Sequence, residues 1–438
     1  MTPYKINNDQ NRFFEQRLSE MLNPKQELYQ LAQLINWELF EKEFGKLYAL
    51  GKGQPPKPIR LIIGLMILQQ IFEIADEEME VVWVQNPYFQ FFCGFDYFQW
   101  KFPIDPSSLS RWRNRLGVEG AELILQETIR IAKETETVKK TSLKTVIVDT
   151  TVMPKNIAYP LDIKLYAKGC EKIVKLAKAL NIQLRQTYLH VIKKSLRNNS
   201  RYAHCRKIKL AKKEERKVKT YLGRLNRDIR RKINKIGYKE NEEFFLDIDR
   251  LLEQKKEDKN KLYSLHEPQV ECIAKGKAHQ KYEFGCKVSI VATHKEGLVL
   301  SSRALIGNPY DGHTLEGSLG HAENITKSKI DQAYVDKGYR GHKIKDKQVL
   351  ISGQRNLSQW FRKKLNRRQA IEACISNMKR YGRLARNFLK GQKGDQINAL
   401  FCGNGHNLRM ILRKIRVFFI QILSSMFKRP YFVVIEVS

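Results

Sequence analysis

The sequence predicts an α/β protein in which a long helical excursion interrupts a set of short apolar strands, all of it preceded by a helical amino-terminal region. Three observations carry this expectation. Short runs rich in β-branched and aromatic residues, bounded by Gly and Asp, recur at Thr145–Val148, Tyr282–Ala292, Leu298–Ile306, Ala333–Val335 and Val349–Ser352, and such runs read as strands. Between the first and second of them, Leu161, Leu165, Ile173, Leu176 and Leu180 recur at helical spacing. Ahead of the first strand, Trp37, Phe40, Phe44 and Leu47 keep intervals of three or four, and Arg60–Phe72 is an almost unbroken apolar run of helix length.

Composition narrows the class of partner. The chain has 438 residues, long enough for two or three domains. It carries 80 Lys and Arg against 46 Asp and Glu, a formal charge of +34. An excess of that size points to a polyanion, nucleic acid being the commonest. Charge alone does not separate this from a ribosome-associated or membrane-surface protein. The seven cysteines, Cys93, Cys170, Cys205, Cys272, Cys286, Cys374 and Cys402, are scattered without a Cys-x-x-Cys pair. That pattern suggests reduced thiols in the cytoplasm, and His204-Cys205 is too little for a zinc site. Residues 1–12 lack a signal-peptide core, and Val417–Leu423 is far too short to span a bilayer. Neither membrane insertion nor export is expected, so a bacterial, nucleoid-associated location follows.

Taken in order, residues 1–132 read as a helical DNA-binding domain, with a break at Gly51–Pro56. Within it, Ser107 or Ser108 caps a helix after Pro106, Arg111, Arg113 and Arg115 follow, and Gly117 stops the helix. A short Ser- and Arg-rich helix after a turn fits the second helix of a helix-turn-helix, or equally a solvated basic helix. Residues 133–144 are polar and read as a linker. Residues 160–265 form a basic helical insertion, with Lys207–Lys213 and Arg224–Lys232 on long amphipathic helices. A solvated face usually mixes signs; the single sign here favours a surface that follows DNA. The strands at 282–292 and 298–306, with His294–Gly297 between them, form an antiparallel hairpin. A loop (Gly307–His313), a helix (Thr314–Ala322), the Ala333–Val335 strand, another strand and a helix from about Gln359 to Lys379 follow. Residues 396–438 are a carboxyl-terminal helical segment and tail.

With the insertion removed, residues 145–159 and 266–395 follow the element order of a ribonuclease-H-like fold. In that layout the first and fourth strands lie side by side. Asp149 would end the first of these strands, Asp336 the fourth, and Glu372 would lie on the following helix. A carboxylate at the tip of a buried strand is costly unless a cation meets it, and single strand-end Asp residues are more often caps or turn formers. Three in this arrangement suit phosphodiester chemistry. Two divalent ions roughly 3.5–4 Å apart activate water and stabilise the leaving oxygen, and Mg²⁺ prefers carboxylate oxygens. Arg368, Glu372 and Lys379 would share one helix face, where Arg and Lys hold a DNA backbone over the metals; taken alone, the same spacing is an ordinary ion-pair ladder.

The stretches Asp149-Thr-Thr151, Tyr282–Gly285, Gly307–Leu315, Tyr334–Gly341, Ala370-Ile-Glu372 and Gly405–Arg409 together resemble bacterial insertion-sequence transposases of the DDE type, in the IS-four/IS-five-like group. The resemblance covers nearly the whole chain. The group's Tyr-x₂-Arg-x₃-Glu-x₆-Lys signature is matched at Arg368, Glu372 and Lys379, with Leu365 in the place of its Tyr. The large insertion follows the first Asp, whereas some relatives carry a β-rich one between the second Asp and the Glu. The resemblance implies a transposase using Mg²⁺ or Mn²⁺ as two ions. Asp149, Asp336 and Glu372 would be catalytic and metal-binding, and Arg368, Lys379, Arg111, Arg113 and Arg115 would contact DNA. It implies binding of double-stranded DNA at element ends and target, a homodimer pairing those ends, hydrolysis that frees 3′-hydroxyls, and their direct attack on target DNA. Two other readings remain at this stage: a nuclease of the same fold that cuts without joining, and a non-catalytic DNA-binding protein descended from a transposase.

Overall fold

The computed structural model describes residues 16–48, 57–235, 240–255, 257–259, 261–274, 281–354 and 358–426, with side chains to residue 418 in the last helix. The expected break at Gly51–Pro56 and the apolar tail beyond residue 426 lie outside the described residues. The chain forms two compact units, residues 1–153 with 287–438 and residues 154–286. Among the described residues no helix is long and apolar enough to cross a membrane.

The first unit opens with helices α1 (Leu18–Met21), α2 (Glu27–Leu34), α3 (Trp37–Gly45), α4 (Ile59–Phe72), α5 (Asp76–Gln85), α6 (Pro87–Phe92) and α7 (Ser107–Glu134). Their starts are locally encoded. Gln26, Asn36 and Asn86 accept hydrogen bonds from the first free backbone N–H groups of α2, α3 and α6, and Pro87 takes the first position of α6. Helix α4 is buried on nearly every side, as its continuous apolar sequence requires. Before α7 the cap position is held by Pro106, not Ser107 or Ser108; one residue earlier, the Asp105 carboxylate accepts from the Ser107 N–H at 2.9 Å and the Ser107 hydroxyl at 2.5 Å. Gly117, at φ 66° and ψ −159°, interrupts α7 as expected, but the helix resumes at once and the result is a kink.

The sheet has six strands: β1 (Thr145–Pro154), β2 (Glu271–Ala274), β3 (Tyr282–Thr293), β4 (Val299–Leu305), β5 (Gln332–Val335) and β6 (Gln348–Ile351), in the order β2, β3, β1, β5, β6, with β4 paired to β3 off this path. β3 and β4 form the antiparallel hairpin; β1 pairs parallel with β5, and β5 with β6. Helix α12 (Asp311–Thr326) packs on β4. The single helix expected from Gln359 to Lys379 is broken into α13 (Gln359–Asn366), a 3₁₀ turn (Arg367–Gln369) and α14 (Ala370–Tyr381). Helix α15 (Gly391–Met426) crosses α7, α4, α2 and β4.

This last helix ties the amino-terminal helices to the sheet. Leu400, Leu408, Ile411 and Ile415 join one hydrophobic core with Leu65 of α4, Leu125 of α7, Val146 of β1 and Leu300 of β4. The described helices between residues 16 and 132 thus share a core with α15 from Leu400 to Ile415. Within residues 133–144, Val138 and Leu143 are buried in the same core. The physical reason is that apolar helix faces too small to enclose a core alone bury one another instead. The Gly405–Arg409 motif explains itself here. The Asn407 side chain accepts from the Val299 N–H and donates to its C=O, both at 2.8 Å. Arg409 donates to the Gln70 carbonyl at 2.7 Å. A Cβ on Gly405 would stand 2.4 Å from that same carbonyl oxygen, so only glycine permits this approach.

The second unit holds α8 (Asp162–Ala179), α9 (Leu189–His204), α10 (Ile208–Lys235) and α11 (Glu242–Glu253). They enclose a core of their own around Ile173, Val218, Leu222, Leu225 and Ile248. Lys209, Lys212, Lys213 and Arg216 are exposed on the other side of α10, as its amphipathic pattern predicts. A short strand that the sequence analysis missed, β2 (Glu271–Ala274), pairs with the first residues of β3. Inside this unit Lys155 and Glu267 form a buried ion pair at 3.2 Å.

Candidate active site

The site is laid out by the β1–β5 pairing. Thr145, Val146 and Ile147 stand opposite Gln332, Ala333 and Tyr334. Carried two residues further, the same register sets Asp149 opposite Asp336. Side chains alternate along a strand, so Asp149 shares a sheet face with Ile147, and Asp336 with Tyr334. Ile371 of α14 packs on that face, in a small cluster with Ile147, Tyr334 and Leu350. Leu365, which replaces the signature tyrosine, packs against the same cluster. The helix that carries Glu372 is thus docked on the face that carries the two aspartates.

The aspartates differ in setting. Asp149 lies within β1, which continues to Pro154 rather than ending at the carboxylate. Its Oδ1 accepts from the Thr150 N–H at 2.7 Å. Burial raises its carboxyl from the ordinary 3.8 to about 6; the Thr150 N–H and Arg368 oppose the rise, and the charges of Asp336 and Asp311 add to it. Asp336 follows the last residue of β5, is half-exposed, and accepts from the Lys337 N–H at 2.7 Å. Arg368 stands between them, Nη1 3.9 Å from Asp149 Oδ2 and Nη2 3.8 Å from Asp336 Oδ1. These are ion pairs at long range, not close bidentate bonds.

Glu372 lies on α14, the helix docked on this face. It is exposed on α14, and among the described residues it makes no hydrogen bond or ion pair. Arg368 lies in the 3₁₀ turn and Glu372 in α14, so the regular helix assumed for their spacing of four is interrupted between them. Each residue there turns the chain by about 120° rather than 100°, which shifts the helical register across the turn. Among the described residues no three His, Cys, Asp or Glu side chains are arranged to hold a metal ion. As donors, Asp149 and Asp336 suit a hard divalent cation: both offer carboxylate oxygens, and a single guanidinium at long range balances them.

Three further residues belong here, none given a role by the sequence analysis. Asp311 opens α12, and its Oδ1 accepts from the Thr150 hydroxyl at 3.0 Å and from Lys287 Nζ at 3.1 Å. Tyr339 is 1% exposed, its hydroxyl has no hydrogen-bond partner among the described residues, and burial together with the charges of Asp149, Asp311 and Asp336 raises its phenol. Asp311 and Tyr339 lie in the Gly307–Leu315 and Tyr334–Gly341 stretches, whose composition was the available signal; nothing in the sequence marks Lys287.

The three arginines of α7 separate. Arg111 and Arg115 are exposed; Arg111 reaches Ser108 Oγ at 3.1 Å, and Arg115 lies 5.2 Å from the centroid of the Trp112 ring. Arg113 is buried and ion-paired with Asp76, which corrects its expected role in binding DNA. Residues at i and i+4 share a helix face, and i+2 lies on the opposite one. Lys379 is on α14, half-buried.

Residues 16–115 match a family described as a transposase domain (DUF772), a span covering α1 to the first half of α7. Over 208 residues the chain is 42% identical to the "uncharacterized protein ORF8 in nfe locus" of Rhizobium meliloti, spanning 48% of this chain and 100% of that protein. No solved structure matches. The chain therefore belongs to one family with the rhizobial ORF8 protein, and its transposase domain makes it a transposase-like protein.

Proposed function

We propose that this chain is a DDE-type DNA transposase of the IS-four/IS-five-like group, built on a ribonuclease-H-like sheet. The observation that carries the proposal is the juxtaposition of Asp149 and Asp336 just past the paired stretch of two parallel strands, with Arg368 between them. Asp149 and Asp336 would hold Mg²⁺ or Mn²⁺, with Glu372 as the third donor. Bound there, such ions supply a water activated as nucleophile and a charge against the leaving oxygen. Arg368 neutralises the carboxylates, and its long contacts let it exchange them for a DNA phosphate.

Two reactions follow in order. Water adds to phosphorus at the element end, the P–O3′ bond breaks, and a 3′-hydroxyl is freed. That oxygen then bonds to a target phosphorus while the target's own P–O3′ bond breaks, without a protein-linked intermediate. Arg111 and Arg115, Lys379 and the exposed basic face of α10 would contact DNA. A homodimer would bring two ends together. The test is divalent-ion-dependent cleavage and strand transfer on DNA bearing the flanking element's ends, with Asp336→Ala alongside. Joined products that vanish in the variant are the expected result. Nicking without joining would replace this reading with a nuclease, and tight binding with neither reaction would replace it with a binding protein.

A further inference from the structure

We infer that Asp311 is a positioning residue of the site, setting the separation of Asp149 and Asp336 through Thr150 on one side and Gly338 on the other. The inference rests on the reading of these two aspartates as the catalytic pair. Asp311 bonds to one arm and faces the other. Its Oδ1 receives the hydroxyl of Thr150, the residue after Asp149, at 3.0 Å. Its Oδ2 stands 3.1 Å from where a Cβ on Gly338 would lie, two residues after Asp336. A methyl group at 338 would crowd the carboxylate and make it shift by a few tenths of an ångström.

The rest of the contact is equally close. A Cβ on Gly312 would stand 3.1 Å from the Arg340 carbonyl oxygen, and the Tyr310 hydroxyl donates to that oxygen at 3.1 Å. The first turn of α12 is thus seated on the turn that follows Asp336. Lys287 fixes Asp311 from β3: its Nζ donates to Oδ1 at 3.1 Å and to the Pro309 carbonyl at 2.8 Å. The buried, unpartnered hydroxyl of Tyr339 lies within electrostatic reach of all three aspartates. A polar group left in that state beside a carboxylate set is expected where a ligand completes the site. Asp311 itself already has an ammonium and a hydroxyl on Oδ1, so it serves by holding the other two carboxylates. Groups that hold ligating carboxylates in this way typically change metal affinity by about 10–100-fold when removed.

Two substitutions isolate the contact. Thr150→Val removes the hydroxyl and keeps the β-branched strand residue. Gly338→Ala crowds Oδ2 and leaves every donor in place. Full-length wild type, these two variants and Asp336→Ala are titrated with Mn²⁺ by electron paramagnetic resonance, and each is melted without metal. The expected result is Mn²⁺ affinity about tenfold weaker in Thr150→Val and in Gly338→Ala, with metal-free unfolding temperatures close to wild type. If Asp336→Ala loses Mn²⁺ while both variants bind as wild type does, the inference is overturned and the aspartate pair stands. If both lose affinity only alongside a collapsed unfolding temperature, Asp311 is structural and the inference is again overturned. If wild type and Asp336→Ala bind Mn²⁺ alike, the catalytic pair itself fails, and the inference with it.

Discussion

Replacing Asp149 with Asn should stabilise the metal-free protein, and only above mildly acidic pH. The carboxyl titrates near 6 in the folded chain against an ordinary 3.8. The folded state therefore binds more protons than the unfolded state between these values, and stability falls as pH rises from about 4 to about 6. Two decades in proton affinity correspond to about 3 kcal/mol. The side chain is 22% exposed, and solvent screening lowers that figure. Asn keeps an oxygen for the Thr150 N–H, and the long Arg368 contact forfeits at most about 1 kcal/mol. The net expectation is a gain of about 1–2 kcal/mol at pH 8, a rise of roughly 2–4 °C in a large chain, and no gain at pH 4. Paired melts of wild type and variant at pH 4 and 8 read this directly. His406, whose imidazole burial depresses to about 4, destabilises both proteins as pH falls below its ordinary range and cancels in the difference. Added Mg²⁺ should close the gap by stabilising wild type alone. A variant less stable at pH 8, or a difference independent of pH, would refute the claim that burial strains this carboxylate.

Other outcomes follow from particular contacts. Glu372→Gln should abolish strand cleavage while DNA binding persists, since the side chain is exposed and supports nothing else; undiminished cleavage in a strand assay would remove Glu372 from the site. Arg113→Ala should cost about 3–5 kcal/mol by leaving Asp76 without its buried partner, and by denaturant unfolding it should far exceed Arg111→Ala and Arg115→Ala. In a binding assay the ranking should invert, with the two exposed arginines weakening DNA affinity; equal effects on both measurements would contradict the division of that helix. DNA affinity should fall steeply with salt, with a slope of about −0.9 per neutralised phosphate. Exchanging Lys209, Lys212, Lys213 and Arg216 for Gln should flatten that slope, and an unchanged slope would mean that the exposed face of α10 does not touch DNA.

How much of this was legible before folding depends on the range of the interaction. Strands and helices whose apolar period is local were readable: the Thr293–Val299 turn region, the all-apolar α4, the amphipathic α10. So was the glycine at 117, because its backbone requirement is its own. The break between α13 and α14 was not, because helical propensity continues through Arg367–Gln369 and only docking of Ile371 on Ile147 and Tyr334 explains where α14 is placed. Arg113 was within reach, since i+2 spacing already separates it from Arg111 and Arg115.

The sequence by itself determined the polyanion-seeking charge, the candidate acids Asp149, Asp336 and Glu372, and the glycine-rich turn after Asp336. Each is a matter of residue type and near neighbours. Tertiary structure alone decided that Arg368 stands between the two aspartates, that Asp311 bonds to Thr150 and faces Gly338, that Glu372 faces solvent, and that the amino-terminal helices share a core with α15. These are contacts between residues far apart in the chain. They arise because apolar faces must be buried against whatever partner the topology brings, and because a buried charge holds its place only where packing also delivers its counter-charge.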